Sequence, residues 1–387
     1  MISIILKFIK FFIKTNDKTI VYHSFSDVSD NSFALFIYVI NNHFDYRNIW
    51  LVDDINKEKE YHKIINNYTK SNNFLIVKKK SIKGLWFFLK SKYIFHTHGI
   101  YNKLPLLDDQ INFNLWHGMP LKNIGYLDNN ALVPESNYLL ATSLVFQKIM
   151  AKSFNVFEEK VLITGQPRND FILDEKFNLL ALFNLKVDQF QKSILWMPTY
   201  RKSILGDIRN DGNIAGVIDF LSDESLIKLN ESLKDHKSIC FIKLHPMDYM
   251  NVNDFILLSN IKFLDNSFFA KKGVALYSML SSIDLLLTDF SSVYIDFLLL
   301  DKPIAFVFSD FNEYLNSRGF VFDNVKAYMP GEIITNMNEL VLFLENLFIA
   351  KNDDFVLQRD GIKNVFHEVK SNFSQNLFNK LVHKNAK

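Results

Sequence analysis

Two histidines stand near the ends of predicted strands, where either could move a proton. His117 ends the predicted strand Phe113–His117, in the motif WHGMPLK, and Gly118 and Pro120 then turn the chain sharply. A histidine beside a flexible glycine is well placed to act as general base on a hydroxyl group, and glycine lets a ligand approach the backbone. A core histidine beside a turn is the alternative, and this motif taken alone favours it.

The second histidine lies in the run FIKLHP, another predicted strand end. Lys243 and His245 are two residues apart and share one face of a strand, which Pro246 then ends. A cation and a proton-bearing group aimed the same way suit a diphosphate. A lone surface histidine is the alternative, although a lysine inside an apolar strand fits it poorly.

Two further turns after predicted strands offer groups that bind phosphate. The TGQPRND turn presents Arg168, whose guanidinium fork suits phosphate oxygens, although a structural Arg–Asp pair would use the same residue types. The PTYRK turn offers the Thr199 hydroxyl and the charges of Arg201 and Lys202. A solvated basic turn is an equally good interpretation of this second motif.

Anion binding is also indicated by the run TDFSSVYIDFLLLDKP and by the SRGF motif. Ser291 and Ser292 stand at a predicted helix N-terminus, where free N–H groups and the helix dipole attract phosphate. Asp296 follows one turn later on the same helix face. Simple capping by serine is the alternative and is compatible with anion binding. In SRGF, Arg318 is a candidate second phosphate clamp, with Gly319 giving the backbone room.

A metal site is the competing interpretation for some of these side chains. His96 and His98 put two imidazoles on one strand face, and Asp289 and His117 could complete a ligand set. No carboxylate or histidine cluster lies at a supporting spacing nearby. We therefore predict a site with no metal and no cofactor.

These residues need a framework, and the chain is long enough to supply one. Its 387 residues are 48% apolar, which suffices for about two domains with large cores. The net charge of +2 argues against a dedicated nucleic-acid binder, and the single cysteine, Cys240, excludes internal disulfides and Cys-rich zinc sites and indicates a cytosolic chain.

Apolar runs alternate with amphipathic stretches along the chain, which predicts parallel α/β sheets. We expect two doubly wound domains, 16–180 and 181–345, followed by C-terminal helices over 346–387, with ligands at the carboxyl ends of the strands. Twelve strands are predicted: Thr19–Ser24, Ile49–Val52, Phe74–Val77, Tyr93–His96, Phe113–His117, Tyr138–Thr142, Val161–Thr164, Ser193–Met197, Ile239–Leu244, Ile261–Leu264, Leu285–Thr288 and Ile304–Phe308.

The first fifteen residues, MISIILKFIKFFIKT, are apolar but too short to span a bilayer, which takes ~20 residues. Lys7, Lys10 and Lys14 recur at helical spacing and form one stripe. This pattern is typical of an amphipathic helix lying on an anionic membrane surface. A first helix packed on the domain's own core is the alternative.

In order along the chain, the motifs WHGMPLK, TGQPRND, PTYRK, KLHP, TDFSSVYIDFLLLDKP and RGF resemble those of the CDP-glycerol glycerophosphotransferase family. Its members are the primases and polymerases of teichoic acids and related capsule polymers. The resemblance runs from about Thr19 to Leu340. It implies a GT-B fold, in which two Rossmann-like domains face each other across a cleft. It also implies transfer of an alditol phosphate, with glycerol phosphate expected, from a CDP-alditol to a hydroxyl of a lipid-linked saccharide or growing polymer. The enzyme would be peripheral on the cytoplasmic membrane face.

Carried over position by position, the resemblance makes His117 the base, places His245 near the donor phosphates and matches Arg318 to the arginine before Gly-Phe. These three are the predicted catalytic residues. Predicted substrate-binding residues are Gly118, Met119, Pro120, Leu121, Arg168, Thr199, Lys243, Ser291, Ser292 and Asp296. Met119, Phe290 and Gln166 depart from the residues usual in the family, which leaves the identity of the alditol open.

Two other functions are compatible with parts of this pattern. A GT-B glycosyltransferase would bind a nucleotide sugar through the same phosphate contacts but break the bond at an anomeric carbon. A membrane-surface scaffold with a degenerate nucleotide fold would need none of His117, His245 and Arg318, so the presence of all three argues against it.

Overall fold

Two parallel β-sheets form the framework of the chain. The computed structural model describes residues 13–101, 104, 106–128, 133–199, 219–245 and 255–384. The predicted membrane-surface helix over residues 1–15 lies outside these ranges except for its last three residues, as do Arg201, Lys202 and Pro246. Within the described ranges, no helix combines the length and the apolar character needed to cross a bilayer.

The first sheet has seven strands in the spatial order β3-β2-β1-β4-β5-β6-β7, and its strand pairs are parallel. Strands buried on both faces read as near-continuous apolar runs, as in Ile49–Val52 of β2. The strands are β1 (Asn16–His23), β2 (Arg47–Val52), β3 (Phe74–Lys78), β4 (Ser91–His96), β5 (Ile111–Asn114), β6 (Tyr138–Ala141) and β7 (Val161–Ile163). This sheet and its helices are called the N-terminal lobe.

The second sheet has six parallel strands in the order β10-β9-β8-β11-β12-β13. They are β8 (Lys192–Met197), β9 (Ser238–Lys243), β10 (Ile261–Leu264), β11 (Leu285–Thr288), β12 (Ile304–Val307) and β13 (Glu332–Ile334). This sheet and its helices form the C-terminal lobe. In each sheet the order reverses beside the first strand, which places a binding crevice at the carboxyl ends.

Helices connect the strands and cover the sheets. Several begin at polar caps: the side chains of Ser81, Ser143 and Asp265 each accept a hydrogen bond from the first turn that follows. In the described part of the chain the α-helices are α1 (Asp30–Asn42), α2 (Glu58–Asn66), α3 (Ile82–Lys90), α4 (Leu144–Phe154), α5 (Asn169–Ile172), α6 (Leu179–Leu182), α7 (Asp223–Asp235), α8 (Asn266–Lys272), α9 (Val293–Phe297), α10 (Phe311–Ser317), α11 (Met337–Phe348), α12 (Val356–Phe366) and α13 (Phe373–Lys384).

The last helix, α13, packs against the N-terminal lobe rather than the C-terminal one. The Asp170 carboxylate accepts hydrogen bonds of 2.9 Å from the backbone N–H groups of Phe373 and Ser374 at its first turn. Further along, the Phe378 ring lies 4.2 Å from the His43 ring. The segment that follows the second sheet therefore returns to the N-terminal lobe, which ties the two lobes together.

A short two-stranded contact joins the lobes near the cleft. Lys122 and Phe320 form an antiparallel bridge, the Val321 N–H donates to the Leu121 carbonyl at 2.9 Å, and the Asn123 N–H donates to the Gly319 carbonyl at 3.2 Å. This contact fixes the segment that follows His117 against the segment that follows Arg318.

The predicted α/β architecture is confirmed, and all twelve predicted strands are present with ends shifted by up to three residues. The largest shift at the carboxyl end of a strand is in β5, which stops at Asn114 rather than His117. The Asn114 side chain accepts a hydrogen bond from the Trp116 N–H, and Trp116 has a left-handed φ of 50°. His117 therefore lies on a loop. The three-residue strand β13 was not predicted, since Glu-Ile-Ile carries too little pattern. The domain limits at 180/181 and 345/346 stay a prediction.

Candidate active site

A cavity of about 660 Å³ lies between the lobes and receives residues from both. Twelve of the thirteen predicted site residues line it: His117, Gly118, Met119, Pro120, Leu121, Arg168, Thr199, Lys243, His245, Ser291, Ser292 and Arg318. The thirteenth, Asp296, is fully buried behind the wall. Residues from six separate stretches of sequence thus meet in one space.

His117 stands in the N-terminal wall among aromatic rings. Its ring centroid lies 4.1 Å from that of Trp116 and 4.2 Å from that of His98, both edge-on. The buried Asn31 side chain donates to the carbonyls of Leu115 and Trp116 at 3.2 and 3.0 Å. The loop is therefore braced from α1, which holds the imidazole toward the cavity.

The two lobes also approach each other closely at Gly118, whose φ of +136° lies in a region that favours glycine. A Cβ at this position would overlap the Ser292 hydroxyl oxygen and lie 3.0 Å from Nη2 of Arg168. The missing side chain therefore lets the histidine loop reach the serine turn of the opposite lobe.

Arg168 is almost completely buried in the cavity wall and is held by carboxylates from both lobes. Its Nη1 lies 2.9 Å from Oδ1 of Asp30, and its Nη2 lies 2.6 Å from Oδ2 of Asp296. The guanidinium also lies 4.2 Å from the centroid of the Tyr277 ring. Burial opposes its charge, but Asp296 and Asp30 outweigh this and hold the pKa of Arg168 above its ordinary value.

The fork of Arg168 is thus already occupied, and Asp296 acts on the cavity through it. The alternative to phosphate binding that the sequence left open, a structural Arg–Asp pair, is present. Its partners are Asp30 and Asp296 rather than the neighbouring Asp170. Asp296 also accepts a 2.5 Å hydrogen bond from Nε2 of Gln166. This buried network connects the TGQPRND turn to α9.

Lys243 and His245 face the cavity from the end of β9. Lys243 is buried, and burial lowers the pKa of its ammonium to about 8. Burial, with the nearby charges of Lys122 and Lys243, lowers the pKa of His245 to about 3. At neutral pH, Lys243 therefore supplies positive charge and His245 a neutral imidazole.

Thr199 and the two serines complete the C-terminal wall. The Thr199 hydroxyl donates to Oδ2 of Asp289 at 2.8 Å, and its N–H group donates to the same carboxylate. Ser292 precedes α9, a single turn, and makes no side-chain capping bond in the described part of the chain. The alternative interpretation, capping by serine, is therefore not realised at Ser292.

Arg318, expected to clamp a phosphate, contacts the opposite lobe. Its Nη1 lies 2.7 Å from Oδ2 of Asp128, and both side chains are largely buried. Asp128 itself lines the cavity. The guanidinium therefore stands at the cavity wall beside a carboxylate of the N-terminal lobe.

Sequence reasoning did not single out Asp30, Asn31, Asp128 or Tyr277, and it considered Asp289 only as a metal ligand. The first four lie in no chemical motif, and each reaches the site only because the fold brings it there. Asp289 stands inside the motif TDFSS, so its position next to the serines was the one available signal.

The histidine pair considered for a metal does not face one space. His96 is fully buried, accepts a hydrogen bond from the Gly99 N–H, and burial lowers its pKa to about 3, whereas His98 lines the cavity. Another group, His23 with Asp27 and Asp53, has metal-like spacing in the described residues. There the Lys79 ammonium lies 2.7 Å from Oδ2 of Asp53 and 3.0 Å from Nε2 of His23, so a cation already occupies that position.

Two Rossmann-like lobes that close over one cavity define the GT-B type of fold. Similar proteins agree with this assignment. The wall teichoic acid polymerase TagF has the same fold, with a TM-score of 0.73 and 21% identity over 96% of this chain and 90% of that chain. The chain belongs to the CDP-glycerol:poly(glycerophosphate) glycerophosphotransferase family, whose model matches residues 5–383. The resemblance of the six motifs is thereby confirmed.

Two curated relatives carry the name teichoic acid poly(glycerol phosphate) polymerase. One, from Bacillus spizizenii, is 26% identical over 363 residues, which cover 88% of this chain and 86% of the relative. The other, from Bacillus subtilis strain 168, is 25% identical over 346 residues, which cover 84% of this chain but 43% of the relative. The chain therefore matches the second relative over less than half of its length.

Proposed function

We propose that this enzyme transfers glycerol phosphate from CDP-glycerol to a hydroxyl group of a lipid-linked saccharide or a growing polymer and releases CMP. The proposal rests on how the two lobes share one cavity. The N-terminal lobe contributes a histidine to its lining, and the C-terminal lobe contributes cationic, imidazole and hydroxyl groups. His117 belongs to the N-terminal lobe, and Lys243, His245 and Ser292 belong to the C-terminal lobe. A base for the acceptor thus stands across from groups suited to a diphosphate.

In this reaction the acceptor oxygen attacks the phosphorus that bears the glycerol, while the bond from that phosphorus to the CMP oxygen breaks. His117 takes the proton of the acceptor hydroxyl as the new P–O bond forms. CMP leaves with the bonding electron pair. Phosphoryl transfer needs little covalent help from a protein, so positioning and stabilisation of charge supply most of the catalysis.

The charge that develops on the leaving phosphate needs positive partners. Lys243 supplies an ammonium from a buried position, where its charge is less screened than in water. The neutral His245 can donate a hydrogen bond, and the hydroxyls of Ser291 and Ser292 add two more donors. Arg318 reaches the same phosphates if Asp128 yields its ion pair. We assign the acceptor side to residues 16–180 and the donor side to residues 181–345.

We also propose that the enzyme works at the cytoplasmic face of the membrane as a peripheral protein. A lipid-linked acceptor stays at the bilayer, so the cavity must stand close to it. The apolar segment 1–15, with its stripe of three lysines, supports binding to an anionic surface.

The test is a comparison of donors by mass spectrometry of the product. CDP-glycerol, CDP-ribitol and a panel of UDP-sugars are each supplied with a teichoic-acid-type acceptor carrying a free hydroxyl group. We expect a mass increase of one glycerol phosphate with CDP-glycerol and release of CMP. Transfer from a UDP-sugar would instead establish the glycosyltransferase alternative.

A matched variant tests the role of the base. His117→Asn keeps a polar side chain but cannot accept the proton, and we expect turnover to fall by ~10²–10⁴-fold while CDP-glycerol still binds. Near wild-type turnover in His117→Asn would remove this histidine from the mechanism.

A further inference from the structure

One face of α3 exposes large apolar side chains to solvent. Ile82 and Trp86 are four residues apart, on the same side of the helix, and are 91% and 52% exposed. The opposite side packs Phe87 and Phe88 into the core beneath the first sheet. We propose that the Ile82–Trp86 face of α3 is a membrane-docking surface that contacts an anionic lipid bilayer.

The charged residues of the sequence segment that carries this face are all positive. From residue 61 to residue 107 the sequence contains nine lysines and no aspartate or glutamate. Lys78, Lys80 and Lys83 are exposed on and just before α3, and within the described residues no ion pair joins any of them to a carboxylate. A protein partner could match such a surface only with acids, whereas anionic headgroups supply negative charge over the whole face.

Lipid also suits the shape and chemistry of the apolar residues. The Lys90 ammonium lies 5.3 Å from the centroid of the Trp86 ring, so aromatic surface and positive charge are presented together. Tryptophan and lysine are the side chains that settle at the boundary between headgroups and acyl chains. Ile82, at the start of the helix, is free to insert beyond them.

The C-terminal end of α3 adjoins the segment predicted to bind membranes. The Lys90 ammonium donates to the Lys14 carbonyl at 3.2 Å, and Ile13 packs with Leu85 against the core under α3. Residues 1–12 therefore join the described chain beside this helix. A bilayer that binds the N-terminal segment would also be within reach of α3.

The N-terminal end of α3 lies at the edge of the sheet where the cavity opens. Lys79, just before the helix, contacts His23, the last residue of β1, and Asp53, which follows the carboxyl end of β2. Docking through Ile82 would thus hold this edge at the lipid surface, where a lipid-linked acceptor is found. The inference rests on the proposed membrane-bound acceptor but not on the identity of the donor.

A fluorescent label tests the surface directly in the full chain. The natural cysteine, Cys240, is fully buried, so Ile82→Cys offers one accessible thiol for an environment-sensitive dye. Leu357→Cys is the matched control, since Leu357 is 88% exposed on the helix α12. With phosphatidylglycerol vesicles we expect a blue shift and a severalfold rise in emission at position 82, and neither at position 357.

Two outcomes would overturn the proposal: an unchanged spectrum at position 82, or equal changes at both positions. Vesicles of phosphatidylcholine alone should give a much weaker response at position 82, because they lack the negative charge; an equal response would also contradict the proposal.

Charge removal provides an independent measurement. In the triple variant Lys78→Gln, Lys80→Gln, Lys83→Gln, we expect vesicle affinity to fall about fivefold for each lysine, on the order of a hundredfold in all. Turnover on a water-soluble acceptor should stay at the wild-type level, because none of the three lines the cavity. Unchanged vesicle affinity in the triple variant would refute the docking surface. If the wild type itself showed no turnover of CDP-glycerol with the water-soluble acceptor, the proposed reaction would be refuted instead.

Discussion

Replacing Gly118 by alanine should separate the two halves of the site. The added Cβ would overlap the Ser292 hydroxyl oxygen and approach Arg168 to 3.0 Å, and the φ of +136° disfavours any side chain. A residue held in such a conformation costs roughly 1–3 kcal/mol, and overpacking adds a similar amount. If about 3 kcal/mol of this cost is added to the activation free energy, because the contact between the lobes is disturbed, turnover should fall on the order of a hundredfold.

The assay is steady-state release of CMP, combined with chemical denaturation. Gly118→Ala should lose turnover far beyond its loss of stability at the assay temperature. Gly331→Ala is the control, because its Cβ would overlap the Ile304 carbonyl oxygen in the C-terminal lobe, away from the cavity lining. That variant should lose stability but keep kcat in the fraction that remains folded.

The double variant Gly118→Ala, Ser292→Gly distinguishes overlap from backbone strain. Removing the Ser292 side chain should restore part of the lobe contact and of the stability lost in Gly118→Ala. Turnover of Gly118→Ala within threefold of wild type, with an unchanged midpoint of unfolding, would refute the argument that this glycine allows the lobes to meet.

The remaining predictions concern the charged groups around the cavity. Because burial lowers the pKa of Lys243 to about 8, the charged fraction of this lysine falls as the pH rises through 8. The affinity for CDP-glycerol, measured by calorimetry, should therefore decline above pH 8 in the wild type. In Lys243→Arg the affinity should stay level over the same range. Asp128→Asn should release Arg318 and tighten donor binding severalfold, and unchanged affinity would show that the ion pair does not compete with the donor. Asp296→Asn removes the charge that holds Arg168, and we expect a loss of 3–5 kcal/mol in the free energy of unfolding, as is typical of breaking a buried ion pair; a change below about 1 kcal/mol would contradict this. Turnover should persist in EDTA, since the groups assigned to the phosphates are organic cations and hydroxyls, and a loss restored by a divalent ion would return the metal interpretation.

The α/β architecture could be predicted from the sequence because the patterns that indicate strands and helices involve only neighbouring residues. An apolar run such as Leu285–Thr288 between amphipathic stretches predicts a buried parallel strand wherever it occurs in the chain. The same reasoning missed β13, whose three residues carry no period. It also extended β5 to His117, because the turn at Trp116 depends on a side-chain hydrogen bond that no apolar pattern records.

The site residues likewise fall into those that the local sequence predicts and those that it does not. His117, Lys243, His245 and the serines could be found because each follows a strand-like run in a motif of chemically suitable residues. The partners of Arg168 could not be found, since Asp30 lies 138 residues and Asp296 lies 128 residues from it along the chain. Arg318 was chosen for its charge, but its contact with Asp128 depends on how the two lobes close.

By itself, the sequence determined the class of fold, the order of the strands along the chain and the residue types available for phosphate chemistry. These follow from periodicity, turn residues and side-chain chemistry, which act over a few neighbouring residues. Tertiary structure decided which groups are charged, which are already paired and which face each other. Those properties depend on burial and on distances between segments far apart in the chain, as in the approach of Gly118 to Ser292, because electrostatic energies and steric overlap are set by separation in space.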